Sequence, residues 1–218
     1  MIEILLYVSI GLVLGGYVLY FLLIFIGRMK NIDGSNGFDV TKDIISEYNS
    51  INVIENRGYF TIYNIKRKVI KIASSSYYGD DLSSLCLSLM EAGISIVDNK
   101  KNKYIDLLRV FFSNLKIIYI FPLFALFISN FSFNVNDAKV SIIFILFFAF
   151  ISYIILDIKE NAYSFINDNI DKIKDIRKEK RDVIVSFMEK MLLCDKLIYF
   201  GELLMAVRLV FIMFDIKF

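Results

Sequence analysis

The chain has 218 residues, of which 57% are hydrophobic and 16% aromatic, and its mean hydropathy is +0.59. A soluble domain has about 45–50% apolar residues, so this composition predicts an integral membrane protein whose first partner is the lipid bilayer. The 25 basic and 23 acidic residues leave a net charge of +2, which argues against a nucleic-acid partner. The sequence has no histidine and therefore lacks the usual general base and the commonest zinc ligand.

The first apolar segment, Ile4–Ile26, is an uncharged run of 23 residues. At 1.5 Å per residue it is long enough to cross a hydrocarbon core of about 30 Å. A cleaved signal peptide is the alternative, but the residues before this run contain no basic side chain and no small-residue cleavage site follows it. We therefore predict that residues 1–27 form a retained transmembrane anchor.

Three further apolar segments bring the predicted number of transmembrane helices to about four. Those at about 115–133 and at 140–156 predict a transmembrane hairpin over residues 110–156. The C-terminal residues 197–218 contain the fourth segment, which two charged side chains interrupt. This segment is predicted to form a C-terminal membrane helix, with a position at the membrane interface as the alternative.

The charged residues of the fourth segment are Glu202 and Arg208. They are six residues apart and point about 120° away from each other around a helix, so each needs another partner. Lys116 lies near the cytoplasmic end of the second segment, which predicts a bridge from Lys116 to Glu202. Arg208 is predicted to reach the outer surface or to contact another subunit. These three interaction candidates suggest a membrane-protein partner or a homo-oligomer.

The distribution of basic residues predicts the orientation in the membrane. Residues 27–109 contain about 12 Lys and Arg and residues 157–196 about 9, whereas the connection at 134–139 has only Lys139. Because cytoplasmic loops accumulate basic residues, both polar segments are predicted to face the cytoplasm of a plasma-membrane protein. The two cysteines of the chain are expected to stay reduced there.

Residues 28–109 are predicted to form a small α+β unit between the first and second transmembrane helices. The stretch Phe38–Tyr48 has apolar residues at helical spacing. Three short runs rich in β-branched and aromatic residues follow and predict strands, the last two joined as a hairpin. These runs are Ile51–Ile54, Tyr59–Tyr63 and Lys68–Ala73.

A longer helix is predicted after Asp80 or Asp81, either of which can cap its first turn. Its apolar residues recur every three or four positions and form one stripe. They are Leu82, Leu85, Cys86, Leu89, Met90, Gly93, Ile94 and Val97. Further along, residues 157–196 place acidic and basic side chains three and four apart, which predicts one long, charged, solvent-facing cytoplasmic helix or a broken pair.

The order of these features is more specific than composition. After the anchor come Gly37-Phe38-Asp39-Val40-Thr41, then Gly58-Tyr59-Phe60-Thr61-Ile62-Tyr63-Asn64, Val69-Ile70-Lys71-Ile72-Ala73, Ser76-Tyr77-Tyr78 and Leu89-Met90-Glu91-Ala92-Gly93-Ile94-Ser95. This order resembles that of the YugP-type family of membrane-embedded neutral zinc metallopeptidases, whose helix carries His-Glu-x-Gly-His. The resemblance covers most of residues 1–165 and implies that the α+β unit is zincin-like.

The resemblance implies zinc ligands at Met90 and Ile94 and a general base at Glu91. A HExxH helix coordinates one metal through two histidines four residues apart, while the glutamate between them polarises the bound water. Here only Glu91 is retained, because a thioether is a poor zinc ligand and isoleucine has no donor atom. The family's acidic stretch after the hairpin also differs, since Lys159 stands at the position of its first acid. The resemblance thus implies a degenerate site and no cofactor.

From their own pattern, Met90 and Ile94 are ordinary core residues of an apolar stripe. Glu91 has two interpretations, a relic general base or a solvent-facing acid beside the stripe, and without a metal the second is favoured. We therefore expect a pseudopeptidase that acts as a non-catalytic binding or regulatory subunit. The alternatives are an active membrane zinc metallopeptidase with atypical ligands, for which Cys86 and Cys194 are candidates, and an unrelated membrane scaffold or accessory protein.

The predicted orientation is tested by labelling single introduced cysteines with a membrane-impermeant reagent from outside the cell. A cysteine at Asn136 should react, while cysteines at Ser75 and Lys174 should not, because basic segments stay in the cytoplasm. The unmodified protein measures the background from its two native cysteines. Reaction at Ser75 from outside would overturn the orientation.

Overall fold

The computed structural model describes residues 2–32, 34–48, 50–58, 61–64, 67–100, 127, 135–173 and 176–214. Its helices are α1 (Ile2–Arg28), α2 (Gly37–Ile45), the short α3 (Ser74–Tyr77), α4 (Leu82–Lys100), α5 (Val135–Asn169) and α6 (Lys178–Met213). Its strands are β1 (Asn52–Asn56), β2 (Ile62–Asn64) and β3 (Val69–Ala73). The prediction of a mainly helical chain with a small α+β portion is confirmed.

The chain divides into two compact units. Unit 1 is formed by the described residues of Met1–Tyr20, Leu115–Leu156 and Leu193–Phe218. Unit 2 is formed by those of Phe21–Asn114 and Asp157–Leu192. Most of the charged segment after the third apolar run therefore belongs to the same unit as the sheet.

Two helices in the described part of the chain are long and apolar enough to cross a membrane. One is α1, and the other is the stretch Lys139–Lys172, which lies largely in α5. They coincide with the first and third predicted spans. The second predicted span, at about 115–133, lies outside the described residues apart from Phe127. An arrangement of four spans thus stays a prediction.

The sheet of unit 2 has the order β1-β3-β2, with β1 parallel and β2 antiparallel to β3. The predicted hairpin between β2 and β3 is present. At its turn the amide of Arg67 donates to the Asn64 side chain at 3.1 Å, and Lys68 adopts a left-handed φ of 50°. Ile70 and Ile72 of β3 are fully buried and alternate with half-buried neighbours, as expected for a strand that faces a core.

Helix α4 begins where the sequence predicts, because Asp81 caps it. One Asp81 carboxylate oxygen accepts from the Ser84 amide at 2.9 Å, and the other accepts from the Ser84 hydroxyl at 2.6 Å. The helix is buried on more than its apolar stripe, since small residues on its other faces are buried as well. They are Ser83, Ser84, Ser88, Ala92 and Ser95. Helix α4 is therefore the central element of unit 2.

The predicted charged segment 157–196 is a broken pair of helices. Helix α5 ends at Asn169, a short 3-10 turn covers Ile170–Lys172, and α6 starts at Lys178. Arg181 holds this connection together by donating to the carbonyls of Ile173 and Ile176 at 2.8 and 3.0 Å. Many of its charged side chains are exposed, as expected for a solvent-facing segment, while its apolar residues are packed inside unit 2. They are Ile170, Ile173, Ile176, Ile184 and Phe187.

Candidate functional site

Helices α4 and α5 meet in unit 2 with almost no space between them. A Cβ atom added at Gly93 of α4 would lie 2.8 Å from the carbonyl oxygen of Ala162 of α5 and 3.0 Å from its Cβ. Only glycine fits such an approach without a shift of the backbone. The contact brings the α4 segment 90–94 beside the first turns of α5 in unit 2, where Lys159 lies.

Glu91 is held by the edge of the sheet. Its Oε2 accepts a hydrogen bond of 2.7 Å from the backbone amide of Tyr63 in β2, and the side chain is half-buried. Lys159 is close enough to act on the Glu91 charge, and it is itself only 7% exposed. The interpretation of Glu91 as a solvent-facing acid is therefore wrong. Its carboxyl group lies inside unit 2, between β2 and α5.

The surroundings of Glu91 change its proton affinity. Burial raises the pKa of the carboxyl to about 7, while the Tyr63 amide and the positive charge of Lys159 both act to lower it. The desolvation effect is the largest of the three. Glu91 is thus a mixture of protonated and ionised forms near neutral pH, and the ionised form is stabilised by two specific neighbours.

The residues at the implied zinc ligand positions do not fit a zinc ion. Met90 is 6% exposed and packs in the core, and Ile94 is half-buried. Their side chains offer a thioether and a hydrocarbon, while Lys159 offers an ammonium group that repels a cation. Among the described residues, no group of three or more Cys, Asp and Glu side chains is placed to hold a metal. No hydrolytic step through a metal follows from this arrangement.

The cysteines give no support to an atypical ligand set. Cys86 is fully buried in unit 2, and its thiol donates to the carbonyl of Ile184 over 3.7 Å. Burial raises the pKa of this thiol well above its usual value, so the thiolate needed for metal binding is disfavoured. Cys194 is also a buried free thiol but belongs to unit 1.

Two of the three predicted interaction residues belong to unit 1. Glu202 is fully buried and Arg208 is 5% exposed, and the predicted contact of Arg208 with another subunit stays a prediction. Arg208 has an interaction within the chain. Lys116 lies outside the described residues, and its bridge to Glu202 stays a prediction.

Sequence reasoning missed two parts of the site. The partner of Glu91 is a backbone amide, which every residue except proline carries, so no sequence signal marks Tyr63 for this role. The close approach at Gly93 had a signal, because a glycine inside a helical pattern costs stability and usually has a packing reason. That signal did not identify Ala162 as the contact.

No family model matches the chain, and neither a curated protein nor a solved structure matches it. The resemblance to the YugP-type peptidases therefore rests on the order and spacing of the residues quoted above. The fold brings Lys159 close to Glu91 although 68 positions separate them in the sequence.

The raised pKa of Glu91 predicts a specific pH dependence of stability. The folded-state pKa of about 7 exceeds the ordinary value of 4.5, so the stabilisation from protonated Glu91 is complete below pH 4.5 and lost as the pH rises through 7. The loss is at most about 3 kcal/mol. Glu91→Gln keeps an acceptor for the Tyr63 amide but cannot titrate.

Thermal unfolding in detergent between pH 5 and 8 measures this effect. The melting temperature of the unmodified protein should fall over this range by up to about 10 °C more than that of Glu91→Gln. Glu47→Gln is the control, because Glu47 is an exposed acid paired with Lys172 at 2.9 Å. Parallel pH profiles for the unmodified protein and Glu91→Gln would contradict the prediction.

Proposed function

We propose that the chain is a membrane zinc-metallopeptidase-like protein of the YugP type whose zinc site has been lost, and that it acts as a non-catalytic binding or regulatory subunit. The observation that carries this proposal is the packing of α4 on α5 at Gly93, with Lys159 beside Glu91. The two helices to which the resemblance assigns the metal-site positions, α4 and α5, are in contact. At the positions where the resemblance implies zinc ligands and an acid, Met90 and Ile94 have apolar side chains and Lys159 has an ammonium group.

The surroundings of Glu91 support the proposed loss of hydrolytic chemistry. A general base needs a water molecule activated by a Lewis acid or a positioned nucleophile. The Glu91 carboxylate instead accepts from the Tyr63 amide at 2.7 Å and lies beside a buried lysine. The attraction between Glu91 and Lys159 connects α4 to α5.

A position in the membrane is supported by the apolar side chains that α1 and α5 leave exposed. Both helices are long enough to span a bilayer, and a surface of this kind in water would be an aggregation liability. On α1 these residues include Ile4, Tyr7, Val18, Phe21, Leu22 and Phe25, and on α5 they include Ile143, Phe144, Leu146, Phe147 and Phe150. We propose an integral plasma-membrane protein whose polar segments are cytoplasmic, with a membrane protein or a second copy as its partner.

The loss of the zinc site is tested by restoring it. The unmodified protein, purified in detergent and washed with chelator, should contain far less than one zinc per chain, because its side chains do not supply the ligands of a zinc site, and it should cleave no peptide. Met90→His with Ile94→His should bind zinc weakly, because two ligands make an incomplete site. Adding Lys159→Glu should raise the content toward one zinc per chain.

The matched control replaces the same three positions with a polar residue that is not a zinc ligand: Met90→Gln, Ile94→Gln and Lys159→Gln. It separates zinc binding from any disturbance of packing, which thermal unfolding measures in parallel. Near-equimolar zinc in the unmodified protein, or chelator-sensitive proteolysis by it, would overturn the proposal and favour an active peptidase with atypical ligands.

A further inference from the structure

The C-terminal half of α6 packs closely along α1 in unit 1. A Cβ added at Gly16 would lie 2.7 Å from Cγ1 of Ile198, and one added at Gly201 would lie 3.0 Å from the backbone oxygen of Ser9. Higher-numbered residues of α6 contact lower-numbered residues of α1, so the two helices are antiparallel. Close contacts at glycine are typical of helices that pack inside a membrane.

The packing of α6 on α1 fixes the position of Glu202 along the uncharged run of α1. Gly201 contacts Ser9 and Val13, which lie about 8 and 14 Å along the helix from the start of the uncharged run at Ile4. If α1 spans the bilayer, as proposed above, Glu202 lies at the level of the hydrocarbon core. The apolar cluster beside it supports the same depth. The cluster comprises Val13, Ile145, Phe148, Met205, Ala206 and Leu209.

Glu202 is fully buried, and neither of its carboxylate oxygens has a hydrogen-bond partner among the described residues. The Ser152 hydroxyl faces it from α5. The buried Ser9 hydroxyl of α1 is already used, because it donates to the carbonyl of Leu6 at 2.8 Å. An ionised carboxyl group at this depth that faces only a neutral hydroxyl is strongly disfavoured, and intramembrane acids of this kind mark sites that bind ions or protons.

The titratable groups near Glu202 carry no compensating charge. Tyr199 lies one turn earlier on α6, and Tyr153 of α5 packs against Tyr199 with ring centroids 6.1 Å apart. Both phenols are neutral at physiological pH. Between Glu3 and Arg28, α1 has no ionised side chain. Arg208 points about 120° away from Glu202 around α6.

We propose that Glu202 is a proton-binding site inside the membrane-embedded unit. The ligand is a proton, which neutralises the carboxyl group and gives it an O–H that the Ser152 hydroxyl can accept. Deprotonation would place a negative charge between α1, α5 and α6 that, among the described residues, faces only the neutral Ser152 hydroxyl, so it would weaken the packing of α6 on α1. The site thus links proton uptake to the association of these helices, independently of the lost zinc site.

Dicyclohexylcarbodiimide tests this proposal on the full-length protein in liposomes. This apolar reagent adds to protonated carboxyl groups: the carboxylic O–H adds across one C=N bond, and rearrangement gives a stable N-acylurea with no leaving group. Peptide mass spectrometry should find Glu202 modified at pH 7 at least tenfold faster than the exposed Glu47. The rate should fall as the pH is raised, and Glu202→Gln should remove the adduct from this peptide.

Three results would overturn the proposal. One is an unreactive Glu202 in the folded protein when the detergent-unfolded chain reacts at the same acidic pH. Another is a Glu202 that reacts only after Lys116→Gln, since that outcome indicates the ion pair predicted from the sequence. The third is protection by sodium chloride but not by choline chloride at equal ionic strength, which would indicate a metal-cation site.

Discussion

The architecture of unit 2 depends on one close contact, the approach of α4 to α5 at Gly93 and Ala162. A side chain at position 93 would force the helices apart, and small residues on the other faces of α4 allow similar proximity elsewhere. At one of them, the Ser83 hydroxyl donates to the carbonyl of Ile24 at 2.8 Å, which ties α4 to the end of α1. On a helix buried on so many sides, a charged group is costly unless it is neutralised or paired.

That constraint explains the chemistry around Glu91. A carboxyl group on a buried helix must be neutralised or paired, and here the amide of Tyr63 and the charge of Lys159 share this task. The side chains of Met90, Ile94 and Lys159 suit a packed core and a charge pair and not a zinc site, and the proposed pseudopeptidase rests on this difference.

The elements that local patterns specify were predicted well. The 3.6-residue period and the Asp81 cap located α4, and the β-rich runs located three strands and their hairpin. Features that depend on distant residues were not predicted. Charge spacing suggested a solvent-facing segment at 157–196, and many of its charged side chains are exposed, but the burial of its isoleucines depends on contacts that no local window contains. For the same reason the sequence placed Glu91 in solvent and could not show that Glu202 is enclosed.

A double-mutant cycle between Glu91 and Lys159 tests the central claim most directly. The free energy of unfolding is measured in detergent for the unmodified protein, Glu91→Gln, Lys159→Met and the double variant. If the pair joins α4 to α5, the coupling energy should be about 1–3 kcal/mol at pH 8, and it should shrink at pH 5 because Glu91 is then protonated. Additive effects at both pH values would contradict the account.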